Sequence, residues 1–134
     1  MADILFYPPF PSRQQLYDQL YRSIWHFLPA LPRINRLIFP FAGADFALLD
    51  ADQCLDMASV HMSKDFDPAI ANYAPRYKGK IEFIAAATLA PQHYTKPLKG
   101  IVVWSTENPA TLAAAQNIAA RTGAHVLHVD PNTV

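Results

Sequence analysis

The sequence predicts an α/β fold: an open, mostly parallel sheet with helices on both faces, stacked as a three-layer sandwich. Three observations carry that expectation. Apolar runs such as Ile4-Leu5-Phe6-Tyr7, residues 81–86 and Ile101-Val102-Val103-Trp104 are continuous rather than alternating, as in strands covered on both sides. Helical spacing fills much of the chain between them. The last third reads as strand, helix, strand, and two strands joined by a helix are parallel, with a right-handed crossover in nearly all cases.

The elements follow in order. The first strand, Ile4-Leu5-Phe6-Tyr7, ends at Pro8-Pro9, whose rings donate nothing to a ladder. Ser12 followed by Gln15 is a capping box, and the helix it opens runs to about Leu28. Leu16, Leu20, Ile24, Phe27 and Leu28 form its apolar stripe, widened by Tyr17, Tyr21 and Trp25. Arg13, Gln14, Asp18, Gln19 and Arg22 form its wet face, and Pro29 and Pro32 stop it.

Arg36-Leu37-Ile38-Phe39 reads as the second strand, with Phe41-Ala42-Gly43-Ala44 as a tight loop behind it. Residues 45–80 are ambiguous between helix and strand. Phe46 to Leu49 suits either, 52–62 is weakly helical, and Asp67-Pro68 is a plausible helix start. A strand over 81–86 precedes a loop or broken helix between Pro91 and Pro97. After the strand ending at Trp104, Asn108-Pro109 caps a helix with Leu112, Ala115, Ile118 and Ala119 on one face. Gly123 suits the left-handed residue past its end, and the returning strand runs over 125–129.

The totals bound what the chain can do. At 134 residues it has the length of one domain, and such a chain buries roughly two-thirds of its unfolded surface. With 51% hydrophobic and 16% charged residues it fills a core without disulfide or metal. Eleven basic and eleven acidic residues cancel, so no field draws it to nucleic acid or an anionic membrane. One cysteine, Cys54, forms no internal disulfide, and the N-terminus lacks a basic signal-peptide start, so cytoplasm is the expected compartment. Twelve prolines keep every apolar stretch short of the roughly 18 residues a membrane span needs. The chain stops soon after its last strand, and an open parallel sheet commonly continues there. The expectation is therefore a single domain over 1–134 that stands alone or forms the N-terminal half of a longer two-domain protein.

Candidate sites are sought where strands end, because folds of this kind bind ligands outside their strands' carboxyl ends. A dinucleotide needs glycines in the first turn, and Pro8-Pro9-Phe10-Pro11-Ser12-Arg13 has none; no Walker lysine pattern exists either, so no cofactor is expected. Ser12 and Arg13 at a helix start suit an anion or a sugar hydroxyl, or are simply a cap and a solvated arginine. Gly43 with Asp45 lets backbone pass close to a ligand, or makes a turn. Glu107 and Asn108 face the same crevice, although Glu107 also serves as a first-turn acid opposing the helix dipole.

Metal sites fail on spacing. His125 and His128 are three apart on a strand and point to opposite faces. Asp50, Asp52 and Asp56 resemble a calcium loop, but Leu55 stands where glycine belongs and His61 where the bidentate glutamate belongs. Cys54 with His61 suggests a nucleophile pair only by proximity in sequence, and an inert buried thiol is the commoner state. No serine occupies a G-x-S-x-G elbow, the glutamates are only Glu82 and Glu107, and no catalytic residue stands out.

The runs Leu5-Phe6-Tyr7-Pro8-Pro9-Phe10-Pro11-Ser12-Arg13, Thr106-Glu107-Asn108-Pro109 and Val129-Asp130-Pro131-Asn132-Thr133 resemble the N-terminal half of bacterial nucleotide-sugar glycosyltransferases built from two Rossmann-like domains, the GT-B architecture. The resemblance covers about half of the chain in patches. It implies an acceptor-side domain that binds a sugar or glycan in a cleft lined by Ser12, Arg13, Gly43, Asp45, Glu107 and Asn108. It implies too that a second domain binds the nucleotide-sugar donor, since the family's E-x7-E glutamate pair belongs to that domain and does not occur here. The domain would then have no activity alone. The competing expectation is a non-catalytic binding module whose interaction face uses exposed members of Tyr17, Tyr21 and Trp25.

Overall fold

A computed structural model describes residues 2–44, 46–61, 73–89, 97–104 and 107–129. Five strands, β1 (Ala2–Phe6), β2 (Ile34–Phe41), β3 (Ile81–Ala85), β4 (Gly100–Trp104) and β5 (His125–Val129), form one sheet in the order β3-β2-β1-β4-β5. Every pairing is parallel, which makes the fold α/β and Rossmann-like. Among the described residues, helices α1 (Arg13–Phe27), α2 (Ala51–His61) and α3 (Pro109–Thr122) lie against it.

Period-two alternation sorts the strand residues onto two faces. Ile4, Phe6, Leu37, Phe39, Phe41 and Val102 face Leu16, Leu20, Ile24 and Phe27 of α1 and Cys54 and Leu55 of α2. Leu5, Ile38, Ile101 and Val103 face Ala115 and Ile118 of α3, with Leu89 and Leu98 beside them. Helices therefore cover both faces, as the continuous apolar runs require.

The helix ends form where side chains or a glycine satisfy free backbone groups. Ser12 Oγ accepts from the Gln15 N–H at 3.3 Å, and Asn108 Oδ1 accepts from the Thr111 N–H at 2.9 Å. Gly123 closes α3 at φ 76°, and its N–H donates to the Ala119 carbonyl. At the far end of α1, the buried Tyr77 hydroxyl donates to the Ile24 carbonyl at 2.7 Å. That contact ties a 3₁₀ turn, Ala74–Tyr77, to the last helical turn, where carbonyls lack helical partners. Burial pushes the Tyr77 phenol well above its ordinary range.

The chain departs from the sequence expectations mainly at strand bounds. β1 begins two residues earlier than Ile4 and stops before Tyr7. β2 is longer at both ends. At its start the pairs Ala2↔Ile34 and Asp3↔Arg36 skip Asn35, a bulge that shifts parity and turns Ile34 inward on the same face as Leu37. At its end it holds Pro40, because the Pro40 carbonyl accepts from the Phe10 N–H on the side where β1 has already left the sheet. No ladder donor is needed there. The Phe41-Ala42-Gly43-Ala44 loop thus begins one residue later, since Phe41 is still strand and bridges Phe10.

Residues 46–61 resolve to a 3₁₀ turn over Phe46–Leu48 and then α2, whose Gln53 N–H is held by Asp50 Oδ1 at 2.9 Å. The Asp67-Pro68 helix start, Pro91 and the segment after Val129 lie outside the described residues. At the sheet's amino end Arg36 reaches across the strands to both Asp3 and Glu82. The Arg36 guanidinium holds the Asp3 carboxyl below its usual range, against a smaller opposing effect of burial. Among the described residues no helix is long and apolar enough to cross a membrane.

Candidate ligand cleft at the carboxyl rim

With every strand parallel, the loops after β1, β2 and β4 open on one rim. The strand order reverses direction between β1 and β4: the chain leaves β1 toward β2 on one side and leaves β4 toward β5 on the other. Open parallel sheets bind ligands in the crevice at this switch point.

The β1 side of the crevice is proline-rich. The Tyr7 N–H still donates to the Val102 carbonyl at 3.0 Å, the Tyr7-Pro8 peptide is cis, and the chain then loops away from β2 and returns at Phe10. Phe10 is 4% exposed and packs its ring 6.0 Å from that of Phe39, which fixes the loop to the core. Ser12 then starts α1, whose residues Gln15, Asp18 and Gln19 fall at i, i+3 and i+4 and share one side of the helix. From the β4 side comes Glu107, just ahead of the Asn108 cap.

These pieces enclose a half-open cleft of about 460 Å³, lined by Pro8, Pro9, Phe10, Pro11, Gln15, Asp18, Gln19 and Glu107. Its chemistry is mixed: a ring-rich wall on one side and two amides and two carboxylates on the other. Asp18 Oδ2 accepts from Arg22 Nε at 3.2 Å one turn along α1, which orients that carboxylate. The Gln19 Oε1 atom is buried and finds no hydrogen-bond donor among the described residues. A buried acceptor without a partner costs about 1–3 kcal/mol, which a nearby donor recovers.

Of the residues singled out from sequence, Glu107 lines this cleft. Ser12 and Asn108 stand at its margin, and their side-chain oxygens are engaged in capping α1 and α3. Arg13 is the first residue of α1, half-buried and outside the lining; Gly43 lies past the end of β2 on the same rim but not on the cleft. Asp45 lies outside the described residues. On the helix pattern alone Asp18 and Gln19 read as solvent-facing and Gln15 as the capping-box partner of Ser12, and in the turn over 8–13 the sequence points to Ser12 and Arg13 rather than to the ring-bearing residues 8–11. The shared side of Gln15, Asp18 and Gln19 on a helix that starts at a switch point is the signal that finds them.

Of the aromatic face expected for the alternative module, only part falls within the described side chains. Tyr17 is 5% exposed within the core, Tyr21 is half-buried against it, and the Trp25 side chain lies outside what is described. A second pocket of about 400 Å³ is lined by Asp3, Asn35, Pro97, Leu98 and Lys99. It opens at the amino ends of the strands, the rim that sheets of this kind do not use. Among the described residues no three His, Cys, Asp or Glu side chains gather to hold a metal, and Cys54 is buried. No family model, curated protein or solved structure matches the chain.

Proposed function

We propose that this domain binds a sugar or glycan in the cleft between α1 and Glu107, as the acceptor-side half of a glycosyltransferase acting in the cytoplasm. The nucleotide-sugar donor would be held by a second domain. The observation that carries the reading is the convergence of Gln15, Asp18, Gln19 and Glu107 on a proline-walled cleft at the switch point. Amides both donate and accept and carboxylates accept twice, so four such groups match the alternating donors and acceptors of a hydroxylated ring. The proline rings give the C–H face of that ring an apolar wall, the usual division of labour in small-ligand pockets. A simple glycine-free turn suits this role, whereas a dinucleotide site would need glycines there.

The test is calorimetric titration of the purified chain with a panel of methyl glycosides and short glycans. Binding by at least one member, weakened roughly tenfold or more by Glu107→Ala and by Gln15→Ala, fits loss of one ligand hydrogen bond each. Binding that both variants leave unchanged would remove the cleft from the account.

A further inference from the structure

We infer that the part of the ligand held in this cleft carries no phosphate or carboxylate, so that the domain takes an unphosphorylated sugar and rejects sugar phosphates and nucleotides. The inference rests on the reading of the cleft as a ligand site and adds the charge class of its occupant.

Three observations exclude an anion. The first is the charge of the wall: among the described residues its ionisable members are Asp18 and Glu107, both acids, and none is a lysine or arginine. Arg22, one turn beyond Asp18 on the same helix, donates its Nε–H to Asp18 Oδ2, and Arg13 stands outside the described lining. A phosphate entering here meets the Glu107 carboxylate and the Arg22-paired Asp18 carboxylate, with no lysine or arginine among the described lining residues, and like charges at close range oppose binding.

The second concerns the backbone. Anion cradles in parallel α/β folds are built from N–H groups of the first turn, which point at the ligand together. Pro8, Pro9 and Pro11 have no N–H. The Phe10 N–H donates to the Pro40 carbonyl at 2.8 Å, and the Tyr7 N–H donates to Val102. From Tyr7 to Pro11 no backbone donor is left to form a cradle.

The third concerns the two helices that start beside the cleft. The Gln15 N–H is directed to Ser12 Oγ and the Thr111 N–H to Asn108 Oδ1, while α3 opens with Pro109, which lacks a donor. Each helix end thus directs one first-turn N–H to its own cap, and Ser12, Arg13, Gln14 and Ala110 are not among the described residues that line the cleft. What remains in the cleft is side-chain amide and carboxylate, the groups that read hydroxyls.

The experiment compares methyl α-glucoside, methyl α-galactoside and methyl α-mannoside with their 6-phosphates and with UDP-glucose, by titration of backbone amide NMR signals of the full chain. The expected result is that a neutral glycoside perturbs Gln15, Gln19 and Glu107, and that its 6-phosphate binds roughly tenfold or more weakly. Glu107→Lys is expected to narrow or reverse that preference, with its thermal midpoint measured to show that it folds. Equal or tighter binding of a 6-phosphate or of UDP-glucose at these residues overturns the inference and leaves the ligand site standing. If no compound perturbs them, the ligand site itself fails, and the inference with it.

Discussion

The two faces of the sheet are filled by different chemistry. Beneath α1 and α2 the buried residues include Phe6, Phe10, Phe27, Phe39, Phe41, Tyr17 and Tyr77, whereas beneath α3 the described buried residues are Leu5, Ile38, Leu89, Leu98, Ile101, Val103, Ala115 and Ile118, with no aromatic ring among them and Tyr7 only partly buried against them. On the aromatic face Phe6 and Phe39 stack at 4.4 Å, Phe27 meets Phe6 edge-on at 5.7 Å, and Phe83 continues the row on β3. Each such pair adds about 0.5–1.5 kcal/mol beyond its buried area. The difference bears on the cleft, because Phe10, the residue that returns the first loop to β2, belongs to that aromatic row. The ring-bearing wall of the cleft is anchored to the aromatic core.

Substitutions can break that comparison. The largest effect is expected from Phe39→Ala, about 3–5 kcal/mol, because it empties the centre of the row and leaves a cavity that stacked rings cannot close. Val103→Ala on the other face should cost about 2 kcal/mol. Urea denaturation measures both, and equal losses would mean that the faces contribute alike.

Tyr77→Phe comes next, at about 1–3 kcal/mol, because it strips the Ile24 carbonyl of its buried donor. It carries a pH signature. The folded phenol is raised above its ordinary 10.0 by burial, with the Arg76 charge opposing weakly, so its contribution is complete below that value and is lost as pH rises past it. Wild-type stability should fall between about pH 9 and 11 by more than that of the variant. Parallel curves would place the phenol in solvent.

The smallest effects compare two glycines. Gly123→Ala should cost about 1 kcal/mol: a Cβ there touches nothing within 4 Å, but φ is 76°. At Gly100 the added Cβ would come within 3.0 Å of Leu127 Cδ1, the tip of a side chain already 37% exposed that can swing aside. Gly100→Ala should therefore be the milder change. A reversed order in thermal midpoints would show that packing, rather than backbone conformation, governs both.

What could be read from the residues follows the range of the physics involved. Ser12, Asn108 and Gly123 act on neighbours within a turn, and their roles were legible. The continuous apolar runs were legible as strands covered on both sides, whereas which of Leu5 and Phe6, or Ile38 and Phe39, faces which helix was not. The length of β2 was not, because the bulge at Asn35 and the tolerance of Pro40 depend on what β1 does beside them. Helix α2 was faint because its polar and apolar residues follow no sustained helical period; among its described side chains Cys54 and Leu55 are the buried ones. The cleft was legible only as a rim. The chain does not announce that β4 lies beside β1, and only that neighbourhood brings Glu107 to the Gln15, Asp18 and Gln19 side of α1.

The central claim is that the carboxyl rim, and not the amino rim, is the binding edge of this sheet. Saturation-transfer difference NMR with a neutral methyl glycoside, combined with backbone amide shifts, tests it most directly. The expected outcome is perturbation centred on Phe10, Gln15, Asp18, Gln19 and Glu107. Perturbation centred instead on Asp3, Asn35, Leu98 and Lys99 would contradict the claim and move the site to the opposite end of the strands.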